Sequence, residues 1–460
     1  MRLERGALVL GGLGLLLCAA CPALGKPVVK AVNLGGLPKI AEVDPNFQSF
    51  NVEMVEVTGG RFWAPYASRT GERYAQRRPI DLKDSRLRML ASALAPAFMR
   101  VSGTWANSTY VPTMTEVEPT EPPPGFKQLL RRSQWQDIVS FSNDLGLPII
   151  TSFPVSGGTR DSRGHWQPEQ AERLLALTGQ MGGRIVAAEF FNEPNLAKLG
   201  GLPEGYGAAD YAHDFATFRA FARALAPTMT ILGPGSTGEG GDVRPADMMR
   251  DTASAVDAVS YHFYGALSVR CRDSGMQTTP EDALTEAWLS RTEADFRLYA
   301  GLRDRFAPGK PIWLTETAQA ACGGSAWAVT YRDAFRYVDQ MGRLARQGVR
   351  VVAHNTLAAS DYALIDGETL VPRPSYWAAV LWRRLMGTIV LESPGVSLPD
   401  VKIYAHCLRG SSEGVALLAE FAKPAPAAGD GVQLGGGDAK PVQDGHSAKP
   451  PRPPARRSGG

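Results

Sequence analysis

The stretch Ile185-Val-Ala-Ala-Glu189-Phe-Phe-Asn192-Glu193-Pro194-Asn195 joins an apolar run to a polar end that contains proline. A short apolar run bounded by turn residues is typical of a buried strand. The neighbouring segments 168–181 and 209–225 carry leucine, alanine and aromatic residues at three- and four-residue spacing, which is typical of amphipathic helices. A strand between two such helices predicts a βαβ unit in a parallel sheet.

The same alternation continues from about residue 50 to residue 390. Helical segments at 280–306, 328–347 and 375–386 separate or follow short apolar and β-branched runs. Eight strands that alternate with helices predict a (β/α)8 barrel, a TIM barrel, within the α/β class. The eight runs are 50–57, 97–101, 148–153, 185–191, 229–232, 258–263, 311–315 and 349–356.

A smaller β-domain is predicted after the barrel, because the period changes to two in 401–407 and 415–421. The extended stretch 28–34 could add another strand. An independent sheet normally needs three or more strands, so we expect this C-terminal β-sandwich to be incomplete. The expected division is a signal peptide at 1–25, an extended segment joining the β-domain at 26–45, the catalytic barrel at 46–390, β-sandwich strands at 391–423 and a disordered Pro/Gly/Arg tail at 424–460.

The composition is that of a globular protein. With 44% hydrophobic residues and a net charge of +3 over 460 residues, a wholly disordered chain is excluded. Basic residues occur only in short, scattered pairs, so we expect no nucleic-acid partner. The six histidines lack paired metal spacing, and no phosphate-binding loop or dinucleotide fingerprint follows a strand, so we expect neither metal nor cofactor.

The N-terminus has the pattern of a secretory signal peptide. Arg2 and Arg5 precede an apolar core at 7–20, and Ala23-Leu24-Gly25 provides a small-x-small cleavage site. The apolar core is too short to span a bilayer well, and no later segment resembles a transmembrane helix. We therefore expect a secreted or periplasmic protein and a monomer, with a lipoprotein cut before Cys18 or Cys21 as the weaker alternative.

Three cysteines remain after cleavage, Cys271, Cys322 and Cys407. An oxidising compartment permits a disulfide, and our preferred pair is Cys271 with Cys322. Three separate buried thiols are equally consistent with the sequence.

Two glutamates stand where predicted strands end. Glu193 follows the fourth strand, directly after Asn192, and Glu316 follows the seventh in Ile312-Trp-Leu-Thr-Glu316-Thr317. The C-terminal strand ends of a barrel surround one mouth, so both carboxyl groups are predicted to face it. Either glutamate alone could be a surface carboxylate, but two facing carboxyl groups are what glycoside hydrolysis requires.

These motifs resemble those of the retaining (β/α)8 glycosidases, which carry Asn-Glu-Pro after strand four and Glu after strand seven. Over nearly all of 28–421 the chain resembles glycoside hydrolase family 79, the heparanase and β-glucuronidase family, and within it bacterial heparanases most. The stretches that carry this resemblance are 94–104, 190–195, 259–264, 313–324 and 375–390.

The resemblance implies catalytic roles for the two glutamates. Glu193 would be the acid/base and Glu316 the nucleophile, with Asn192 bonding the sugar 2-hydroxyl. Glu193 then needs surroundings that raise its pKa, whereas Glu316 needs hydrogen-bond donors. Tyr264 matches a tyrosine aimed at the nucleophile, and His262 a residue of the same mouth, although both could simply pack in the barrel rim.

Further matches concern substrate binding. The backbone N–H groups of Gly323 and Gly324, with Tyr362, match the positions that receive a uronic acid carboxylate, although the loop is one residue longer here and a glycine pair is usually a turn. Glu53 and Thr104 match sugar-contacting positions, with a place in the barrel interior as the alternative. Glu189 is expected to hold Asn192 or an arginine such as Arg100 rather than to act as a catalyst.

The sequence therefore predicts a secreted retaining glycosidase that cleaves β-glucuronic acid linkages by double displacement, endo-acting on a heparan-sulfate-like glycosaminoglycan. Its partner would be a polysaccharide or glucuronide that contains glucuronic acid. One alternative is an exo-β-glucuronidase that acts on small or terminal glucuronides. The other is a carbohydrate-binding barrel with little or no turnover.

Overall fold

A computed structural model describes residues 30–68, 71–394, 401–411, 414–421 and 432–435. The predicted signal peptide lies outside the described residues, and so does the predicted tail apart from 432–435. In the described part of the chain, no helix is long and apolar enough to cross a membrane.

The described strands, in chain order, are β1 Lys30–Asn33, β2 Lys39–Glu42, β3 Gln48–Glu53, β4 Gly60–Trp63, β5 Tyr74–Arg77, β6 Met99–Ser102, β7 Thr109–Tyr110, β8 Gln128–Leu129, β9 Ile149–Thr151, β10 Ile185–Glu189, β11 Thr230–Thr237, β12 Ala258–Tyr264, β13 Ile312–Ala318, β14 Val351–His354, β15 Met386–Leu391, β16 Val401–Leu408, β17 Val415–Phe421 and β18 Val432–Gly435. The described α-helices are α1 Met54–Thr58, α2 Ser85–Ser92, α3 Arg132–Leu145, α4 Glu169–Gln180, α5 Ala208–Leu225, α6 Pro245–Thr252, α7 Glu286–Leu289, α8 Arg291–Phe306, α9 Tyr331–Arg346 and α10 Pro374–Leu385.

Eight parallel strands close a barrel in the order β3, β6, β9, β10, β11, β12, β13, β14 and back to β3. Each of the eight predicted runs contributes one of these strands, so the predicted (β/α)8 barrel is confirmed. The first run was predicted to continue to residue 57, which is wrong because α1 begins at Met54. The Glu56 carboxylate accepts a hydrogen bond from the Glu53 N–H at 2.7 Å, which turns the chain into the helix directly after the strand.

Side chains two residues apart on a strand point to the same face, so the barrel interior is built of successive layers. One layer is apolar and the next is polar. Ile150, Ala187, Leu232 and Ala258 form an apolar cluster, with Phe98 and Trp313 packed against it. Two residues further along their strands stand Arg100, Glu189 and Ser260, all buried. The polar layer therefore lies nearer the C-terminal strand ends, where a barrel has its mouth.

The smaller β-structure is an antiparallel sheet in the order β17, β16, β15, β2. The predicted strands 401–407 and 415–421 are confirmed as β16 and β17. The suggestion that 28–34 joins this sheet is wrong: β1 pairs in parallel with β18 in a separate two-stranded sheet and a separate compact unit. The predicted segment 26–45 does join the β-domain, but through β2, which pairs with β15. The sequence did not locate β2 itself, whose side chains are mostly exposed and give no apolar alternation, or β15, which follows α10 without a turn signal. In the described residues these four strands form one sheet rather than two facing ones.

Helix α9 packs against the four-stranded sheet. A Cβ atom at Gly342 would lie 2.3 Å from the Tyr404 ring, so helix and sheet approach closely there. Arg343 pairs with Asp339 on the same helix, and Lys402 on β16 lies 3.0 Å from the same aspartate. Close packing and shared charges together fix the sheet on the flank of the barrel.

Two glycine-to-alanine variants test this contact. Gly342→Ala should lower the free energy of unfolding by about 1–3 kcal/mol, because the new methyl group overpacks against Tyr404. Gly301→Ala, in the exposed middle of α8 with open space around it, should instead raise it by about 0.5–1 kcal/mol. Urea unfolding measures both, and a Gly342→Ala protein as stable as wild type would show that α9 and the sheet are not in close contact.

Candidate active site

Arg100 occupies the centre of the polar layer, with 1% of its surface exposed. Its Nη2 lies 2.8 Å from Glu189 Oε2 and 2.9 Å from Asn192 Oδ1, and its Nη1 lies 2.8 Å from Glu316 Oε2. Although burial acts in the opposite direction, Arg100 holds the pKa of Glu189 well below its usual range. Glu189 is thus paired with Arg100, one of the two partners expected from the sequence.

Glu316 lies in the C-terminal half of β13, and each of its carboxylate oxygens accepts a hydrogen bond. Arg100 donates to Oε2, and the Tyr264 hydroxyl donates to Oε1 at 2.6 Å. Burial and the Glu316 carboxylate raise the pKa of Tyr264 well above its ordinary value, so the hydroxyl keeps its proton. Glu316 therefore has the hydrogen-bond donors that the sequence analysis expected around it.

Glu193 stands just beyond β10 in surroundings of the opposite kind. Burial raises its pKa, and the Glu316 carboxylate adds to the rise against an opposing hydrogen bond from His262. Its φ of +50° is unusual for a residue with a side chain and occurs where the chain turns from β10 into the 3-10 turn Pro194–Leu196. One oxygen each of Glu193 and Glu316 lie within 4.8 Å of each other.

His262 is fully buried and lies against both glutamates. Its Nδ1 lies 3.2 Å from Glu193 Oε1 and 3.8 Å from Glu316 Oε2. Burial and the nearby Arg100 disfavour a charged imidazole, but Glu316 and the hydrogen bonds to Glu189 and Glu193 prevail and raise the pKa of His262 to about 9. By distance Glu193, His262 and Glu316 could hold a cation, but a protonated imidazole is a poor ligand.

Asn107 positions Asn192 and was missed as a site residue by the sequence reasoning. Its Nδ2 donates to Asn192 O at 2.9 Å, and its Oδ1 accepts from Asn192 N at 3.0 Å. Asn107 is fully buried, so its Asn-Ser-Thr sequon is inaccessible in the folded protein. Only its place after the second barrel strand pointed to the mouth.

Asn355, after β14, was also missed and connects three of the predicted residues. Its Nδ2 lies 3.0 Å from Glu53 Oε1, 2.9 Å from the Tyr264 hydroxyl and 3.2 Å from the Tyr362 hydroxyl. Its position at the end of the eighth predicted run was the only available signal. The side-chain amide of Asn355 therefore connects Glu53, on the first barrel strand, with Tyr264, which bonds Glu316.

The glycine pair lies in a loop whose backbone requires glycine. Gly323 and Gly324 have φ angles of +82° and +83°, and a Cβ on Gly324 would lie 3.0 Å from the Tyr362 backbone. The preceding Cys322 forms a disulfide with Cys271, which confirms the preferred pair, while Cys407 is a half-buried free thiol. In the described part of the chain, neither glycine N–H has a protein acceptor.

Among the buried side-chain atoms that have no partner in the described residues, three belong to this site: Asn192 Nδ2, Glu53 Oε2 and Asn355 Oδ1. Burial of an unpaired polar group is costly, so such atoms indicate places where a bound molecule completes the hydrogen bonding. Thr104 begins the 3-10 turn Thr104–Ser108 and is half-buried.

Curated relatives of this chain share a family. Heparanase-like protein 1 of Arabidopsis thaliana is 27% identical over 64% of this chain and 54% of its own length. Heparanase of Bos taurus is 26% identical over 79% of this chain and 71% of its own, and baicalin-beta-D-glucuronidase of Scutellaria baicalensis 26% identical over 59% and 50%. The chain is thus similar, at about a quarter of aligned positions, to heparanases, heparanase-like proteins and a β-glucuronidase. It spans about half the length of the two plant members, and no family model matches it.

Solved structures of other glycoside hydrolases share the fold of this chain. The GH51 arabinofuranosidase from Xanthomonas axonopodis pv. citri matches 82% of each chain with a TM-score of 0.55 at 16% identity. A 4-O-alpha-L-rhamnosyl-beta-D-glucuronidase from Fusarium oxysporum 12S matches 82% of this chain and 78% of its own with a TM-score of 0.54 at 14% identity. The particular likeness of this chain to bacterial heparanases stays a prediction.

Removing the central arginine tests the electrostatics of the polar layer. Arg100→Met should lower the free energy of unfolding by about 3–5 kcal/mol at pH 7, because the buried Glu189 carboxylate loses its main cation and keeps only His262 and the Thr315 hydroxyl as partners. In wild type, the depressed pKa of Glu189 stabilises the fold above the unfolded pKa, and this gain is lost as the pH falls through the folded pKa. In the variant, protonation removes the buried charge of Glu189 and so stabilises the fold. The difference in free energy of unfolding between wild type and variant should therefore shrink between pH 7 and pH 5.

The control is Arg100→Met combined with Glu189→Gln, which removes both charges and should recover part of the loss. Denaturant unfolding at several pH values measures all three proteins. A deficit that stays the same at every pH would contradict the assignment of Glu189 as the charge that Arg100 compensates.

Proposed function

We propose that this protein hydrolyses β-glucuronides with retention of configuration, with Glu193 as acid/base and Glu316 as nucleophile. The observation that carries the proposal is the pair of carboxyl groups, with oxygens within 4.8 Å, in opposed electrostatic surroundings. Retaining glycosidases hold their carboxyl groups about 5–5.5 Å apart, whereas inverting enzymes hold them about 6.5–9.5 Å apart to admit a water molecule. The short separation leaves no room for that water and supports direct attack.

In the first step, a Glu316 oxygen attacks the anomeric carbon while Glu193 protonates the leaving oxygen, and the glycosidic bond breaks. In the second step, Glu193 takes a proton from water, which attacks the anomeric carbon and releases Glu316. Arg100 and Tyr264 hold the Glu316 carboxylate in position through their hydrogen bonds. The unpaired Nδ2 of Asn192 is available to the sugar 2-hydroxyl.

Recognition of glucuronic acid would fall to the glycine pair and Tyr362. The N–H groups of Gly323 and Gly324 lack protein acceptors within the described residues, and Tyr362 lies beside them. Backbone N–H groups in such a turn form a concave site for an anion. Glu53, whose Oε2 is unpaired, and Thr104 would contact sugar hydroxyl groups.

The expected substrate is a heparan-sulfate-like polymer cut internally, which is supported by the relatives named heparanase. A secretory leader, as predicted for 1–25, would bring a monomeric enzyme to such an extracellular substrate. The relative named baicalin-beta-D-glucuronidase supports a second candidate, the removal of terminal glucuronic acid from small glucuronides.

One assay separates these functions. Incubation with heparan sulfate should shorten the chains, as followed by size-exclusion chromatography, and an aryl β-glucuronide should be tested in parallel. Glu316→Gln, which keeps the shape of the side chain, should abolish turnover of both substrates because no nucleophile remains. Cleavage of the aryl glucuronide with no shortening of the polymer would select the exo-acting alternative. Binding of either substrate without turnover by wild type would contradict hydrolysis and support a carbohydrate-binding barrel.

The pH dependence should report the Glu193 proton. Because the raised pKa keeps Glu193 protonated above the ordinary value of a glutamic acid, kcat/KM should persist into that range and then fall as the pH rises through the Glu193 pKa. Glu193→Gln should lower kcat/KM by about 10²–10⁴-fold and remove the alkaline limb. An alkaline limb that survives in Glu193→Gln would assign the proton to another group.

A further inference from the structure

The buried guanidinium of Arg270 joins four loops around the glycine pair. Its Nη1 donates to Cys322 O at 3.2 Å and to Gly324 O at 2.9 Å, and its Nη2 donates to Ala64 O and to the Asp361 carboxylate. The side chain is only 6% exposed, and its guanidinium carbon lies 3.8 Å from the centre of the Tyr66 ring. The sequence reasoning did not single out this residue.

These contacts determine where the N–H group of Gly323 points. In a planar trans peptide, the C=O of one residue and the N–H of the next point in opposite directions. Cys322 O is held by Arg270 Nη1 and, at 2.9 Å, by the Ser268 hydroxyl. The Gly323 N–H in the same peptide is therefore directed away from Arg270.

The N–H group of Gly324 is fixed in the same way through Asp361. Gly323 O accepts from Asp361 N at 3.1 Å and from the Ser360 hydroxyl at 3.0 Å. The Asp361 carboxylate is paired with Arg270, so the residue that orients this second peptide depends on the same guanidinium. Two flexible glycines thus receive a fixed orientation from outside their own loop.

The disulfide supports the same geometry covalently. Cys271 directly follows Arg270, and Cys322 directly precedes Gly323. The bond therefore joins the segment that carries the guanidinium to the loop that presents the N–H groups. A loop with three consecutive positive φ angles, at Cys322, Gly323 and Gly324, is thereby restrained at its start.

We infer that Arg270 is a positioning residue that determines the preference for a uronic acid carboxylate over a neutral hydroxymethyl group. The inference rests on the proposed function, because it takes the two glycine N–H groups as the carboxylate site. Arg270 contacts backbone and Asp361 rather than the reacting atoms. Its effect should therefore fall on binding of the carboxylate and leave the chemistry at Glu193 and Glu316 in place.

The test compares two iminosugars that differ only in carrying a carboxylate or a hydroxymethyl group, with affinities measured by isothermal titration calorimetry. Wild type should prefer the carboxylate ligand. Arg270→Met should weaken binding of the carboxylate ligand by at least about tenfold, because the glycine N–H groups lose their alignment toward a charged group. Binding of the neutral ligand should weaken by less than about threefold. With an aryl glucuronide, KM should rise much more than kcat falls.

Arg160→Met is a matched control. Arg160 is also buried, pairs with Asp214, donates to the carbonyl groups of Val155 and Gly164 and lies over the Tyr206 ring, but it does not contact the glycine loop. This variant should weaken both ligands by the same factor or neither. Arg270→Lys, which keeps the charge, should recover part of the preference.

If Arg270→Met does not fold, Ser268→Ala provides the test, because it removes one of the two donors to Cys322 O and should reduce the preference by about threefold. An unchanged preference in the Arg270 variants, or an equal loss for both ligands, would overturn the inference. A wild-type protein without preference for the carboxylate would instead refute the uronate part of the proposed function.

Discussion

The site depends on one buried cation. Arg100 lies inside the barrel with almost no contact with solvent, and it is shared by two carboxylates and an amide oxygen. A buried charge is tolerated only when partners with good geometry surround it, so the guanidinium fixes Glu189, Glu316 and Asn192 relative to one another. Because these three residues come from two different strands and the turn after one of them, the cation also holds the two sides of the mouth in register.

The two glutamates can take different catalytic roles because their surroundings differ. Glu316 has Arg100 and Tyr264 as donors, whereas Glu193 is partly buried beside a carboxylate and has a raised pKa. His262 touches both, and its pKa of about 9 lets it carry the compensating positive charge between them. Acid/base and nucleophilic roles require two carboxyl groups in different surroundings.

The barrel and the two glutamates could be predicted because their signals are local. The strand-to-helix alternation has a period that is visible in short windows, and Glu193 and Glu316 stand at strand ends that the same pattern locates. Asn107 and Asn355 gave no comparable signal, since their partners lie up to 302 residues away in the chain, and Arg100 was expected only as one possible partner of Glu189. Strand β2 was not predicted for another reason. It is a short edge strand paired with β15, and because its side chains are mostly exposed, its sequence shows no apolar alternation.

The most direct measurement is the trapping of the covalent intermediate. A 2-deoxy-2-fluoro-β-glucuronide with a good leaving group slows both steps, so a retaining enzyme accumulates its glycosyl-enzyme. Peptide mapping by mass spectrometry should find the sugar on Glu316, and Glu316→Gln should remain unlabelled. A label on another residue, or rapid turnover of aryl glucuronide with an inverted product anomer and no labelled protein, would contradict this account.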